Sequence, residues 1–136
     1  MADAIVVTYQ SATSIGPCLN ALLGADLHVV VVDNAATAEV VRQSFPGVEL
    51  IANEENVGFS RAVNQGLARC KSDVVLLVNP DCIVPAATAA ALIGYLRLHP
   101  DVGIVAPPLA PAAAPPNPSA HPHPPSRSTP PNPHTE

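Results

Sequence analysis

The sequence predicts an α/β fold of the doubly wound class, in which helices cover both faces of a mainly parallel sheet. Unbroken apolar runs at 29–32 and 74–78 are typical of strands that are buried on both faces. Between these runs, apolar residues recur at the spacing of an amphipathic helix: Phe59, Ala62, Val63, Gly66, Leu67 and Cys70. Strands that alternate with helices in this way form parallel sheets with right-handed crossovers.

Taken in order, the chain predicts five strands and four helices. The strands are expected at 4–8, 28–32, 48–52, 74–78 and 103–106. The helices are expected at about 15–23, 37–44, 59–70 and 85–98. The 74–78 strand should be central in the sheet, and Pro80, which lacks an N–H, should end it.

Composition divides the 136 residues into two parts. Residues 1–107 have the composition of a small globular domain, whereas twelve of the 17 prolines lie from Pro107 onward. The segment 108–136 has almost no large apolar side chains, which predicts a disordered or polyproline-like tail.

Charge and cysteine content limit the function classes. The ten acidic and five basic residues before Pro107 account for the net charge of −5, so no nucleic-acid surface is expected. Cys18, Cys70 and Cys82 lack ligand spacing and are interpreted as structural thiols in a reducing compartment. No apolar stretch reaches the length of a membrane span. We therefore expect a cytoplasmic protein.

Polar residues follow three of the predicted strands at their carboxyl ends. They are Thr8-Tyr9, Asp33-Asn34 and Asn79-Pro80-Asp81. Because parallel strands end at the same edge, these groups should converge in the crevice where open α/β sheets bind ligands. The turn after the first strand has no G-x-G-x-x-G, which disfavours a dinucleotide oxidoreductase.

Four motifs in register carry a resemblance to a known family. IVVTYQSATSIGPCLNALL, VVVVDNAAT, NEENVGFSRAVNQGL and VVLLVNPDCIVP closely resemble the N-terminal half of family 2 glycosyltransferases of the GT-A fold, particularly the rhamnosyltransferase-like branch. The resemblance covers residues 4 to about 107. It implies inverting transfer of a sugar from a nucleotide diphosphate donor to an acceptor hydroxyl, usually with divalent Mg²⁺ or Mn²⁺.

The resemblance also implies roles for individual residues. Thr8 and Tyr9 would contact the nucleotide base, and Asp33 would contact the base or ribose. Asn79 stands at the first acid of the family's D-x-D-type motif, which leaves Asp81 as the carboxylate that holds the metal. The remaining residues of the implied donor pocket are Asn56, Gly58, Phe59 and Asn64.

Each assignment has a structural alternative. Asp33-Asn34 could cap the next helix or form an Asx turn, and Asn79-Pro80-Asp81 could be only a strand-ending turn. Asn56 is also a reasonable N-cap and Gly58 a plain turn residue, while Asn64 could simply be solvated on a polar helix face.

Two departures from the family pattern bear on function. The segment after Asn34 is a residue or two shorter than the family's, which should loosen that loop. The family continues for another hundred residues or more, where the resemblance places the acceptor pocket and the catalytic base. We therefore expect a donor-binding half that is incomplete for catalysis.

The partners implied are a nucleotide diphosphate sugar, with thymidine diphosphate rhamnose (dTDP-rhamnose) as the branch's associated donor, and a saccharide or lipid-linked acceptor in complete homologues. The resemblance is also compatible with a peripheral position at the inner membrane face. Two alternatives stay open: a noncatalytic nucleotide-diphosphate-binding or interaction module, and an inert fragment.

Overall fold

The computed structural model describes residues 1–108, so the predicted tail lies almost entirely outside the described residues. Four strands alternate with four helices: β1 (Asp3–Thr8), α1 (Ile15–Leu23), β2 (His28–Asp33), α2 (Ala38–Ser44), β3 (Glu49–Ala52), α3 (Phe59–Leu67), β4 (Val75–Val78) and α4 (Ala86–Leu98). In this part of the chain, no helix has both the length and the apolar character that crossing a bilayer requires.

All strand pairs are parallel, and the sheet order is β3-β2-β1-β4. Ile5 of β1 pairs with Val30 of β2 on one side and with Leu77 of β4 on the other. The predicted α/β class with a parallel sheet is confirmed. The chain runs outward from β1 to β3 and then returns to the other side of β1, so the order reverses between β1 and β4.

The alternation of side chains along β1 and β2 builds two apolar layers. Val6, Val29 and Val31 lie on the face that α1, α2 and α4 cover, whereas Val30 and Val32 pack with Ala62 of α3 on the opposite face. These strand residues are all at most 1% exposed. Their uninterrupted apolar runs therefore reflect burial on both faces.

The prediction that 74–78 is a central strand is wrong for the described residues. β4 lies at one edge of the sheet, and Leu77 is 51% exposed, although Leu76 and Val78 are buried. An apolar run reports the tendency of a strand to be covered, but it does not specify its neighbours. In residues 1–108, β1 and β2 are the interior strands.

The predicted fifth strand at 103–106 is also wrong. Residues 102–108 contain no strand, and Ile104 is 89% exposed. The segment offers only four residues between Val102 and Pro107, and Pro107 and Pro108 have no N–H to donate to a ladder. Neither edge strand of the described sheet, β3 or β4, pairs with this segment.

At the amino-terminal ends of the strands, the side chain of Asp3 links several segments of the chain, and it is 1% exposed. Its Oδ1 lies 2.6 Å from His28 Nδ1, and its Oδ2 accepts the backbone N–H groups of Lys71 at 2.9 Å and Ser72 at 2.6 Å. Burial disfavours the charged carboxylate, but these hydrogen bonds outweigh that effect and lower the pKa of Asp3. Asp3 thus ties β1 to β2 and to the segment before β4.

Helix α3 lies close to the sheet at Gly66, which faces Ile5 of β1. A Cβ atom at position 66 would lie 2.8 Å from Ile5 Cγ2 and 3.1 Å from Ile5 Cδ1. Ile5 is completely buried, so it has little room to move. The absence of a side chain at Gly66 therefore sets the distance between α3 and β1.

We predict that Gly66→Ala destabilises the domain by about 1 to 3 kcal/mol, because the overpacking exceeds the gain in helix propensity. Equilibrium denaturation in urea measures the change. Gly94→Ala is the matched control: Gly94 lies inside α4 with nothing within 4 Å of its added Cβ, so it should be neutral or stabilising. A stable Gly66→Ala protein would contradict the tight α3–β1 contact.

Candidate functional site

An open cleft of about 350 Å³ lies at the carboxyl ends of β1 and β4, where the strand order reverses. Such reversals are the usual ligand sites of open α/β sheets, because the loops from the two strands diverge there. The cleft draws on four segments of the chain. Its lining consists of Val7, Thr8, Tyr9, Ser11, Asn34, Asn56, Gly58, Phe59, Asn79 and Pro80.

At the end of β1, one polar side chain turns inward and an aromatic one turns outward. Thr8 is completely buried, and its Oγ1 donates a hydrogen bond to Asp33 Oδ1 at 2.9 Å. Tyr9 is 52% exposed. Ser11 follows with its Oγ donating to the Tyr9 carbonyl at 3.1 Å. The end of β1 thus presents the half-exposed ring of Tyr9 next to the buried, hydrogen-bonded side chain of Thr8.

Asp33, at the end of β2, is 2% exposed and does not line the cleft. Its Oδ1 accepts from Thr8 Oγ1 and from the Ala35 N–H at 3.1 Å, and its Oδ2 accepts the N–H groups of Thr37 at 3.0 Å and Ala38 at 2.7 Å. Asp33 therefore forms the Asx turn that the sequence left open as an alternative, and it also accepts the N–H groups at the start of α2. A ligand would have to displace one of these four donors to reach the carboxylate.

The loops after β1 and β2 are bonded to each other as well. The Asn34 N–H donates to the Thr8 carbonyl at 2.8 Å, the Gln10 N–H donates to the Ala35 carbonyl at 2.9 Å, and the Ser11 N–H donates to Thr37 Oγ1 at 3.0 Å. The shortened loop after Asn34 is therefore not loose, contrary to expectation. Its tight course places Ala36 at φ 65°, a conformation that is uncommon for alanine.

The third wall of the cleft is the entrance to α3. Asn56 Oδ1 accepts the Gly58 N–H at 2.9 Å, and Gly58 has φ 85°, which favours glycine. Phe59, the first residue of α3, is 55% exposed. No side chain caps this helix, so its first N–H groups are available at the cleft.

The fourth wall is the turn after β4. The carbonyl of Asn79 accepts the Cys82 N–H at 3.0 Å and the Cys18 thiol at 3.6 Å. Burial, with smaller effects from Cys82 and Asp81, raises the pKa of Cys18 to about 11. The buried thiol is therefore protonated and supports the turn, as expected for a structural cysteine.

Six of the nine residues predicted for the site line this cleft: Thr8, Tyr9, Asn56, Gly58, Phe59 and Asn79. Asp81 follows Pro80 just outside the lining and is exposed, whereas Asn64 lies exposed on α3 away from it. Asn34, which the sequence placed at this edge, and Ser11 also belong to the lining, although neither was assigned a site role. Asn34 was signalled by its position after Asp33 at a strand end, and Ser11 had no signal beyond its proximity to Tyr9.

The lining carries no Lys, Arg, Asp or Glu side chain among the described residues. The same part of the chain contains no cluster of three or more His, Cys, Asp or Glu residues suited to hold a metal ion by themselves. An anionic ligand in this cleft would meet amides, hydroxyls and backbone N–H groups. Asp81 is the nearest exposed carboxylate in sequence to the β4 wall.

Comparisons with known proteins give a family and a fold. The model of the family described as glycosyl transferase family 2 matches residues 3–132. The crystal structure of S. aureus TarS 1-349 superposes with a TM-score of 0.62 at 25% identity, covering 72% of this chain and 32% of that chain. A second crystal structure of S. aureus TarS gives a TM-score of 0.61 at 25% identity, covering 72% and 20%.

The chain thus spans less than a third of the length of either TarS structure. The comparison with curated proteins finds no significant match. The likeness to TarS supports the expected GT-A fold for the four-stranded sheet and its helices.

We predict that only one of the two carboxylates at this edge, that of Asp33, contributes to stability. Asp33→Asn should destabilise the domain by about 2 kcal/mol or more, because an amide can accept only part of the four hydrogen bonds and its NH₂ faces backbone donors. Asp81→Asn, its matched control, should leave the unfolding free energy within about 0.5 kcal/mol, since Asp81 is exposed. Thermal and urea unfolding measure both, and equal stability for the two variants would show that the Asp33 cap is dispensable.

Proposed function

Because the chain belongs to glycosyl transferase family 2, we propose that its cleft binds the nucleoside diphosphate sugar donor of an inverting glycosyl transfer. The observation that carries this proposal is the character of the cleft. It combines two exposed aromatic rings, several amides and an uncapped helix start at the reversal of strand order.

The nucleoside end of the donor suits the wall formed by β1 and α3. Tyr9 and Phe59 offer ring faces on which a base can stack, and half of each side chain is accessible. Thr8, which donates to Asp33, keeps these loops in place but has little surface of its own. We assign direct contact to Tyr9 and Phe59, and a supporting role to Thr8 and Asp33.

The diphosphate suits the entrance to α3. Gly58 lets the chain turn sharply into the helix, and the first N–H groups of α3 have no side-chain partner. Helix starts of this kind bind anions through those N–H groups and the helix dipole. Asn56 and Asn79 add amide groups beside them.

The donor set also fits a divalent cation shared with the ligand. Mg²⁺ and Mn²⁺ are bound through one or two carboxylates together with substrate phosphate oxygens, and the exposed carboxylate of Asp81, next to the β4 wall, matches that pattern. We propose Asp81 as the protein ligand. The cation would supply the positive charge that the cleft lining lacks and so stabilise the leaving diphosphate.

For the sugar, we propose a hexose-type donor of the rhamnosyltransferase-like branch, with dTDP-rhamnose as its associated compound and a saccharide or lipid-linked acceptor. The four sequence motifs support this finer assignment. Asn64, which lies exposed on α3 outside the cleft, would contact a donor only where the sugar extends along that helix.

A second candidate, a noncatalytic nucleotide-diphosphate-binding module, is favoured by one observation. An inverting transfer needs a carboxylate or other base beside the acceptor hydroxyl. Among residues 1–108, no acidic side chain lines the cleft. Assays of sugar transfer with labelled donors separate the two candidates, because only the enzyme consumes donor in proportion to added acceptor.

We predict metal-dependent binding of thymidine and uridine diphosphates, measured by calorimetric titration in Mg²⁺ and in chelator. Asp81→Ala should weaken the binding in Mg²⁺ by about 1.5 to 3 kcal/mol and should leave the binding in chelator unchanged. This result would show that Asp81 strengthens diphosphate binding only through the metal ion.

Asp101→Ala is the matched control, since Asp101 is an exposed carboxylate beyond the end of α4. It should bind like the unmodified protein. Equal affinities with and without Mg²⁺ would remove Asp81 from the metal role, and failure to bind either diphosphate would overturn the proposed donor site.

A further inference from the structure

A chain of side-chain amides lies behind the cleft and joins the ends of β2 and β3 to α3. Asn53 and Gln65 bond reciprocally: Asn53 Nδ2 donates to Gln65 Oε1 at 2.9 Å, and Gln65 Nε2 donates to Asn53 Oδ1 at 2.9 Å. Asn53 Nδ2 also donates to Asn34 Oδ1 at 3.0 Å. Asn34 lines the cleft, is 3% exposed, and carries its Nδ2 3.5 Å from the Gly58 carbonyl.

The direction of these hydrogen bonds is set by the Gly58 carbonyl, which can only accept. It therefore selects the orientation in which Asn34 presents Nδ2 toward Gly58 and Oδ1 toward Asn53. Asn53 completes the selection, because the NH₂ group that it directs at Asn34 can only donate. If the Asn34 amide were reversed, its Oδ1 would face the Gly58 carbonyl oxygen and its NH₂ group would face the NH₂ group of Asn53.

The oxygen of Asn34 is thereby occupied, whereas its NH₂ group has one N–H without a partner among residues 1–108. The neighbouring acceptors are occupied in the same manner. The Asp33 carboxylate takes four protein donors, and Asn56 Oδ1 takes the Gly58 N–H. At the tip of β2, the cleft therefore offers hydrogen-bond donors.

We propose that the Asn53–Gln65 pair is a positioning device that holds Asn34 as a donor, and that Asn34 determines specificity by meeting an acceptor oxygen of the nucleobase. This inference rests on the proposed function and deepens it. A pyrimidine with a carbonyl at position 4, as in uracil or thymine, satisfies the donor. Cytosine, which carries an amino group there, opposes it.

The test compares calorimetric affinities for uridine diphosphate and cytidine diphosphate, which carry the same charge and differ at position 4 of the ring and in the hydrogen on N3. The unmodified protein should prefer uridine diphosphate by roughly tenfold, because the 4-amino group of cytosine would face the NH₂ group of Asn34 with no acceptor between them. Asn53→Asp replaces the NH₂ group that faces Asn34 Oδ1 with a carboxylate oxygen, so the new carboxylate and the Gly58 carbonyl compete for the Asn34 NH₂ group, and Asn34 is no longer held in one orientation. This variant should lose the preference.

Gln65→Glu is the matched control: it adds the same charge and loses the hydrogen bond from Gln65 Nε2 to Asn53 Oδ1, but its carboxylate still accepts from Asn53 Nδ2 and so keeps that NH₂ group toward Asn34. It should keep the preference for uridine diphosphate. Asn34→Asp tests the donor directly, since it replaces the NH₂ group of Asn34 with an oxygen. It should shift the preference toward cytidine diphosphate. A ratio of two affinities from one sample is insensitive to the folded fraction, and circular dichroism checks that each variant folds.

The expected result is a preference that Asn53→Asp and Asn34→Asp abolish and Gln65→Glu retains. Equal binding of the two nucleotides by the unmodified protein, or a preference that survives in both Asp variants, would overturn the inference and leave the donor site standing. Binding of neither nucleotide would overturn the proposed function along with it.

Discussion

The buried carboxylate of Asp33 is the constraint on which the carboxyl edge of the sheet depends. A carboxylate at 2% exposure is stable only where donors replace its hydration, and here four do so: one hydroxyl from β1 and three backbone N–H groups between β2 and the start of α2. Thr37, held by this cap, in turn accepts the Ser11 N–H from the loop after β1. Two of the cleft's walls therefore share one anchor.

Two aspartates at the same edge consequently have different surroundings. Asp33 accepts all of its hydrogen bonds from the protein, whereas Asp81 is exposed. Asp81 follows a turn in which the Asn79 carbonyl accepts from the Cys18 thiol and the Cys82 N–H. Between them lies a cleft without charged side chains. A diphosphate entering it would depend on N–H groups at α3 and on a cation brought in with the ligand, which is consistent with the small basic content of the chain.

The sequence was sufficient to predict the class of fold and the edge where polar residues meet. Both follow from periodicity and from the rule that parallel strands end together. The sequence was not sufficient to place β4, because the burial tendency of 74–78 does not identify which strands lie beside it. It also could not choose between the two readings of Asp33, since the choice depends on where the N–H groups of Thr37 and Ala38 point. Asn34 was placed at this edge by its position after Asp33, but its role could not be predicted for the same reason: its partners Asn53 and Gly58 come from segments distant in sequence.

The position of β1 between β2 and β4 has a consequence for how the chain acquires its structure. β1 is synthesised before the other three strands, although it is an interior strand of the described sheet, so one of its two edges stays unpaired until β4 has been synthesised. The hydrogen bonds of Asp3 also form late, because two of its donors, the N–H groups of Lys71 and Ser72, lie shortly before β4 in the chain. During synthesis, the open edge belongs to an apolar strand, the kind of segment most prone to pair with other chains. Completion of the sheet is thus a late, long-range event, and chaperone contact during translation should be concentrated in the interval before β4 emerges.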